Sequence, residues 1–148
     1  MGSPIYSYQQ VASTTSKLEQ IVMLYDGAIK FLLQMANDIR QKDMLAKTEH
    51  VDRALAIIDY LRAILDMSQG GEVAQNLDRT YNILTSQIIL ANATLDADMV
   101  DSVVALLREI RSAWQQIAAG SSNVVPVAAP ETKTGLFQTE LRSVRITG

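Results

Sequence analysis

Few residues of this 148-residue chain combine into a group that could catalyse a reaction. His50 is the single histidine and cysteine is absent, so neither a histidine-pair metal site nor a thiol nucleophile can form. Serine and threonine hydroxyls would depend on that same histidine for activation. The carboxylate pairs Asp96/Asp98 and Asp59/Asp66 fall at expected helix starts or on polar helix faces. We therefore expect no enzyme, no metal site and no cofactor.

Composition and charge favour a single helical domain. Apolar residues make up 48% of the chain and aromatic residues 5%, which is typical of aliphatic helix packing. The net charge of −3 offers no basic face for nucleic acid or for an anionic membrane surface. The N-terminus lacks a basic segment followed by an apolar one, and charges interrupt the apolar segments elsewhere. We expect a cytoplasmic protein without a membrane span.

The first half of the chain predicts two helices. Ser16 and Glu19 have the spacing of a capping box, which places the start of the first helix there. Apolar residues then recur every three or four positions to about Gln41. Asp43 should cap the second helix, and Gly70-Gly71 should end it, because glycine adopts the left-handed conformation at a helix C-terminus without a steric clash.

The second half predicts two more helices and thereby the fold. The third helix should begin near Glu72 and keep its apolar face through Leu95. Asp96 or Asp98 should cap the fourth helix, which should end at Gly120. Short connections force neighbouring helices to run antiparallel. The expected fold is therefore an all-α, up-and-down four-helix bundle.

The bundle should occupy residues 16–119, between two segments of different composition. Residues 1–15 are mostly polar and predict a flexible N-terminal arm. Residues 120–148 predict an extended linker rich in Pro, Ala and Val, followed by a partly apolar tail. Since an empty apolar surface is unfavourable in water, we expect the arm, and after it the tail, to cover one. This contact could form within one molecule or pair two molecules as a homodimer.

His50 leaves one catalytic alternative open. A lone histidine on a four-helix bundle resembles the histidine phosphotransfer domains, in which a lysine and a glycine follow the histidine by three and four residues. Arg53 and Ala54 stand at those positions here, and without the glycine the imidazole would be less accessible. We expect His50 to be an ordinary solvated helix residue.

A helix that packs on a bundle core needs an apolar arc of about 100°. All four helices carry more apolar residues than this arc requires. Three interpretations stay open. These side chains could bury against one another or against the chain ends, they could bind an amphipathic partner segment, or they could pair with themselves in a helical adaptor or homo-oligomer. The surplus residues are Leu24, Phe31 and Met35 in helix 1, Ile57, Tyr60 and Ile64 in helix 2, Ile83, Ile89 and Leu90 in helix 3, and Val100 and Val104 in helix 4.

Two segments resemble a known protein family. Residues 21–29 read Ile-Val-Met-Leu-Tyr-Asp-Gly-Ala-Ile, and residues 70–77 read Gly-Gly-Glu-Val-Ala-Gln-Asn-Leu. They are similar to motifs in helices 1 and 3 of the flagellin-specific export chaperones of bacteria, the FliS family. The resemblance covers roughly residues 5–119. Further matches at the expected distances are Tyr8, Tyr81, Ala91-Asn92 and Ala113-Trp114.

This resemblance implies a cytoplasmic chaperone with no catalytic activity and no cofactor. The family binds the disordered C-terminal segment of flagellin, prevents its premature polymerisation and aids its type III export, with the flagellar export gate as a further partner. Tyr25 could instead be mainly structural, and Asn76 and Asn92 could satisfy backbone groups. The residues expected to contact flagellin are Ile5, Tyr8, Leu24, Tyr25, Asp26, Gly27, Phe31, Ile57, Ile64, Asn76, Leu77, Tyr81 and Asn92.

Overall fold

Four α-helices account for most of the residues described by the computed structural model, which are 17–68 and 70–119. The expected arm and tail, and the Ser16 member of the predicted capping box, lie outside these residues. The prediction of an all-α four-helix bundle is confirmed. The helices are α1 (Lys17–Gln41), α2 (Met44–Ala63), α3 (Gly71–Thr94) and α4 (Ala97–Ala118).

Aspartate side chains cap the starts of α2 and α4. The Asp43 carboxylate accepts a hydrogen bond from the Ala46 backbone N–H at 3.1 Å. The Asp96 carboxylate accepts one from the Met99 N–H at 3.0 Å. Each carboxylate satisfies an amide that has no partner within its helix, and each lies at the positive end of the helix dipole. Both predicted caps are confirmed, with Asp96 rather than Asp98 capping α4.

Two left-handed residues allow the chain to reverse in very short connections. Lys42 follows α1 with φ 62°, and Leu95 follows α3 with φ 56°. The Leu95 N–H donates to the carbonyl oxygen of Ala91, which satisfies one of the last carbonyls of α3. The prediction that Leu95 continues the core face is wrong, because its left-handed backbone directs the side chain outward and leaves it 47% exposed.

The helix α2 ends earlier than the glycine pair predicts. The expectation that Gly70-Gly71 ends α2 is wrong: the helix stops at Ala63, and the glycines begin α3. Leu65 remains buried although it lies beyond the helix, so the apolar spacing continues past the true end. The Gly70 N–H donates to the Asp66 carbonyl oxygen at 2.7 Å. A Cβ at Gly70 would lie equally close to that oxygen, so the turn requires glycine there.

The core wraps around α1, which makes its most extensive contacts with α2 and α4. Three residues predicted as surplus are in fact core: Met35 and Val100 have no exposed surface, and Val104 is 2% exposed. The physical reason is that a helix with two close neighbours buries an arc wider than one neighbour would cover. The surplus in α3 is different, because Ile83, Ile89 and Leu90 are all exposed.

Ion pairs between helices follow the antiparallel arrangement. Arg40 at the end of α1 contacts Asp98 at 3.0 Å and Asp101 at 2.7 Å near the start of α4. Arg62 at the end of α2 contacts Asp78 of α3 at 2.6 Å. These pairs lie at the surface of the bundle, where water and salt screen them, so each contributes little to stability. None of the helices described has both the length and the apolar character needed to cross a membrane.

Candidate protein-binding surface

Six residues line the outer boundary between α1 and α2. Spacings of three and four residues place Leu24, Gly27 and Phe31 on the side of α1 that faces α2. The same spacings place Ile57, Tyr60 and Ile64 on the side of α2 that faces α1. All are half-buried except Tyr60, which is 53% exposed. These six residues form the α1–α2 surface, and they include five residues expected to contact flagellin.

Glycine at position 27 brings the two helices together in the middle of this surface. A Cβ built on Gly27 would lie 3.2 Å from the Cδ1 atom of Ile57, closer than ordinary van der Waals contact. The missing side chain therefore lets Ile57 pack directly against the backbone of α1. Glycine in a helix interior costs about 1 kcal/mol of helix stability relative to alanine. The packing of Ile57 against the α1 backbone offsets this loss.

Phe31 carries a cluster of basic side chains at one end of the α1–α2 surface. The Lys30 ammonium lies 5.9 Å from the ring centroid, and the Arg53 guanidinium lies 5.8 Å from it. Both distances fall in the range of cation–π attraction. The His50 ring stacks on Phe31 with a centroid distance of 6.1 Å. Arg53 also pairs with Glu49 at 3.0 Å. Two cationic side chains, one of them paired with Glu49, therefore lie next to the half-buried Phe31 ring.

A hydrogen bond between His50 and Asp38 ties α2 to α1 beneath these side chains. His50 Nδ1 lies 2.5 Å from Asp38 Oδ2, and Asp38 is only 7% exposed. The prediction that His50 is an ordinary solvated residue is wrong, because its side chain is 22% exposed and engaged by this carboxylate. Sequence reasoning missed Asp38. The seven-residue spacing between Phe31 and Asp38 could have pointed to this residue, because it puts both side chains on one face of α1.

Three other residues of the expected flagellin site lie inside the core. Tyr25 and Leu77 have no exposed surface, and Tyr81 is 1% exposed. The hydroxyls of Tyr25 and Tyr81 form a hydrogen bond at 2.5 Å. Burial raises the pKa of both phenols, because the charged phenolate would lose its hydration. In this structure these side chains support the bundle, and a role in partner binding would act through packing.

The remaining expected contacts are dispersed. Asp26 lies on the opposite side of α1 and pairs with Arg111 of α4, which sequence reasoning did not identify. Asn76 accepts a hydrogen bond from Arg79 one turn later in α3. The amide oxygen of Asn92 is buried and has no hydrogen-bond partner among the residues described. Ile5 and Tyr8 lie outside the described residues.

The arrangement is suited to binding, and the part of the chain that the structure describes offers no cluster of side chains that could hold a metal ion. Within residues 17–68 and 70–119, no three His, Asp or Glu side chains are close enough together to hold one. What the α1–α2 surface does offer is aliphatic and aromatic area beside cationic side chains. That combination is typical of a site for an amphipathic protein segment.

Sequence comparison assigns the chain to a family. The family model described as flagellar protein FliS matches residues 3–121. The flagellar secretion chaperone FliS of Vibrio cholerae serotype O1 is 38% identical over 122 residues, which span 79% of this chain and 90% of that protein. The FliS chaperone of Salmonella typhimurium is 36% identical over 127 residues, 82% of this chain and 94% of that protein. The flagellar secretion chaperone FliSB of Pseudomonas aeruginosa is 34% identical over 116 residues, 75% and 92% of the two chains. The chain is a member of the FliS family of flagellar proteins.

Proposed function

We propose that this chain is a cytoplasmic flagellar secretion chaperone that binds the disordered C-terminal segment of flagellin on its α1–α2 surface. Binding would cover flagellin's own assembly residues, prevent premature polymerisation and keep the segment available for type III export at the flagellar export gate. The single observation that carries the proposal is the α1–α2 surface itself, which combines five expected contact residues in a member of the FliS family.

The burial state of these residues supports a surface that is completed by a partner. Leu24, Phe31, Ile57 and Ile64 pack partly against the core, yet each keeps some area in contact with water. Covering that area gains about 25 cal/mol for each Å² of apolar surface removed from water. A disordered segment loses conformational entropy when it binds, so it must cover a large area to bind tightly. A continuous boundary between two helices of 20 and 25 residues provides such an area.

The cationic side chains beside Phe31 should give a bound segment a preferred direction along the proposed site. Lys30 and Arg53 lie beside Phe31 at one end of the α1–α2 surface. A bound segment should therefore place a carboxylate near this end and apolar residues along the rest. Because both cations are exposed to solvent, they should contribute mainly to orientation and to the association rate, and less to affinity.

Charge substitutions on the α1–α2 surface test the proposal. Leu24→Asp and Phe31→Asp should each weaken binding of a flagellin C-terminal peptide at least tenfold, because a partner would have to bury the new carboxylate. Binding should fall more than folding stability does, as measured by urea unfolding. Leu45→Asp is the matched control, since Leu45 is 86% exposed in α2 and outside the α1–α2 surface. Equal peptide affinity for all three variants and the wild type would refute this site.

Gly27→Ala separates binding from folding more sharply. The added methyl must displace the Cδ1 atom of Ile57 by a few tenths of an ångström, and that atom is the flexible end of its side chain. Alanine also stabilises the helix by about 0.5–1 kcal/mol relative to glycine. We expect unchanged or higher stability together with weaker peptide binding. A variant that binds the peptide as the wild type does would show that Ile57 and Gly27 lie outside the contact.

A further inference from the structure

A second set of apolar side chains lies along the boundary between α3 and α4. On α3, Ile83 and Leu90 are 55% and 50% exposed. On α4, Met99 and Leu106 are half-buried and pack partly against the core. The two members of each pair are seven residues apart, which puts them on one side of their helix. These four residues define the α3–α4 surface, which is separate from the proposed flagellin site.

Ion pairs to other helices show which way these side chains face. Asp78 of α3 pairs with an arginine of α2, and Ile83, five residues later, is turned by about 140° from it. Asp101 of α4 pairs with an arginine of α1, and Leu106, five residues later, is turned by about the same angle. Ile83 therefore lies away from α2 and Leu106 away from α1. Both are left on the sides of α3 and α4 that adjoin each other.

The sequence that follows α4 repeats the spacing of this surface. Within residues 120–148, Phe137, Leu141 and Val144 follow one another at four and three residues, which is the spacing of one apolar face of a helix. The first and last of them are seven residues apart, as are the two apolar residues on each of α3 and α4. This segment lies beyond the residues matched by the family model.

We propose that residues 136–146 dock as an amphipathic helix on the α3–α4 surface of the same molecule. The end of α4 at Ala118 lies 12 residues from Leu106, about 18 Å along the helix at 1.5 Å per residue. Residues 119–136 can span roughly 50 Å at about 3 Å per residue. The connection is therefore long enough for Phe137 to reach Leu106 without a second molecule.

Position in the bundle favours this segment over the N-terminal arm. The arm, residues 1–15, joins the chain at the start of α1. The helices α1 and α3 lie diagonally across the bundle, so the arm would have to pass over α2 or α4 to reach the α3–α4 surface. The segment after α4 borders that surface from the point where it leaves the bundle.

Charge gives the docked segment a direction. A segment that leaves α4 and follows α3 runs toward the connection between these two helices, so Arg142 and Arg145 come last. The start of α4 at that connection carries Asp98, whose side chain is 96% exposed. Asp98 and Asp101 share the guanidinium of Arg40, so an arginine of the segment would add a second cation to two carboxylates.

Because the chain has no cysteine, a pair of introduced thiols can trap the docked segment. Glu140→Cys puts a thiol at the edge of its apolar face, and Gln87→Cys puts one at an exposed position between Ile83 and Leu90. Mild oxidation of the full chain should close an intramolecular disulfide roughly ten times faster, or more, than in the pair Glu140→Cys with Leu33→Cys. This control position is 41% exposed and as far from the start of α1 as Gln87 is from the start of α3.

A charge in the segment separates docking from random encounter. Added to the Glu140→Cys, Gln87→Cys pair, Phe137→Asp should slow disulfide formation roughly tenfold, because docking would bury the new carboxylate. Thr139→Asp, on the opposite side of the same helical pattern, should leave the rate unchanged. Equal rates for the two cysteine pairs, or a rate that Phe137→Asp does not change, would overturn the proposal. Disulfides that join two molecules on non-reducing electrophoresis would also overturn it, since the occupant would then be a second copy.

Discussion

At the scale of single residues, two tyrosine hydroxyls meet inside the bundle. Tyr25 of α1 and Tyr81 of α3 form a 2.5 Å hydrogen bond across the core, and neither side chain can reach water. The side chain of Trp114 is also buried in this core, with 1% of its surface exposed. Buried polar groups strongly favour the one packing that satisfies them. This pair should therefore fix how α1 and α3 face each other.

A double-mutant cycle measures the tyrosine pair. Tyr25→Phe should lower the free energy of unfolding by about 1–3 kcal/mol, because the Tyr81 hydroxyl is left buried without its partner. Adding Tyr81→Phe to that variant should cost less than Tyr81→Phe costs in the wild type, since no unpaired hydroxyl then remains. Urea unfolding of the wild type and the three variants gives the four values. Strictly additive losses would mean that the hydroxyls do not interact.

The same pair predicts a loss of stability at alkaline pH. Burial raises the pKa of Tyr25 and Tyr81 in the folded state, whereas in the unfolded chain tyrosine has a pKa of about 10. Above pH 10 the unfolded state therefore releases protons that the folded state keeps, and unfolding becomes more favourable. Urea unfolding between about pH 8 and 11 should show the decline. The variant with phenylalanine at both positions should lose less stability over this pH range. A loss identical to that of the wild type would mean that other groups cause it.

These contacts show where prediction from sequence stops at the residue scale. Helical spacing put Tyr25 and Tyr81 on core-facing stripes, and both are buried. That their hydroxyls touch depends on the relative rotation and height of two helices whose residues are 56 positions apart. The Asp38–His50 pair depends in the same way on the register between α1 and α2. Periodicity within one helix contains no information about such a register.

At the scale of helices, the width of the apolar arc depends on the number of neighbours. The residues Val100, Val104 and Met35 looked like surplus because one neighbouring helix needs only about 100° of arc. Each is buried, since α1 and α4 pack closely against each other and against further helices. Ile83 and Leu90 belong to an arc of similar width but remain exposed. Sequence thus predicted the apolar faces but could not assign which of them are covered.

The α2–α3 connection makes different demands on its two glycines. A Cβ at Gly70 would lie 2.6 Å from the Cβ of Ala74 and 2.7 Å from the Asp66 carbonyl oxygen, so the backbone must move. A Cβ at Gly71 would meet nothing within 4 Å, but its φ of +60° disfavours other residues. Gly70→Ala should lower the free energy of unfolding by about 2–3 kcal/mol, and Gly71→Ala by about 1–2 kcal/mol. Urea unfolding that gives the reverse order would contradict this description of the turn.

At the scale of the whole molecule, apolar side chains of the described residues remain partly or largely exposed on two different sides of the bundle. The helices α1 and α3 each pack mainly on α2 and α4, so they lie diagonally across it. The α1–α2 surface has cations beside it, whereas residues 80–94 of α3 contain no Asp, Glu, Lys or Arg. A segment bound between α1 and α2 would therefore by itself leave the exposed side chains of Ile83, Ile89 and Leu90 on α3 in contact with water.

Calorimetry of the full chain with a peptide of the flagellin C-terminal segment tests the central claim most directly. The account predicts binding with a negative heat-capacity change, because apolar area is covered, and a gain of peptide helicity in circular dichroism. Phe31→Asp should weaken this binding at least tenfold, whereas Leu45→Asp should not. No detectable binding, or binding that Phe31→Asp and Leu24→Asp leave unchanged, would contradict the assignment of the α1–α2 surface as the flagellin site.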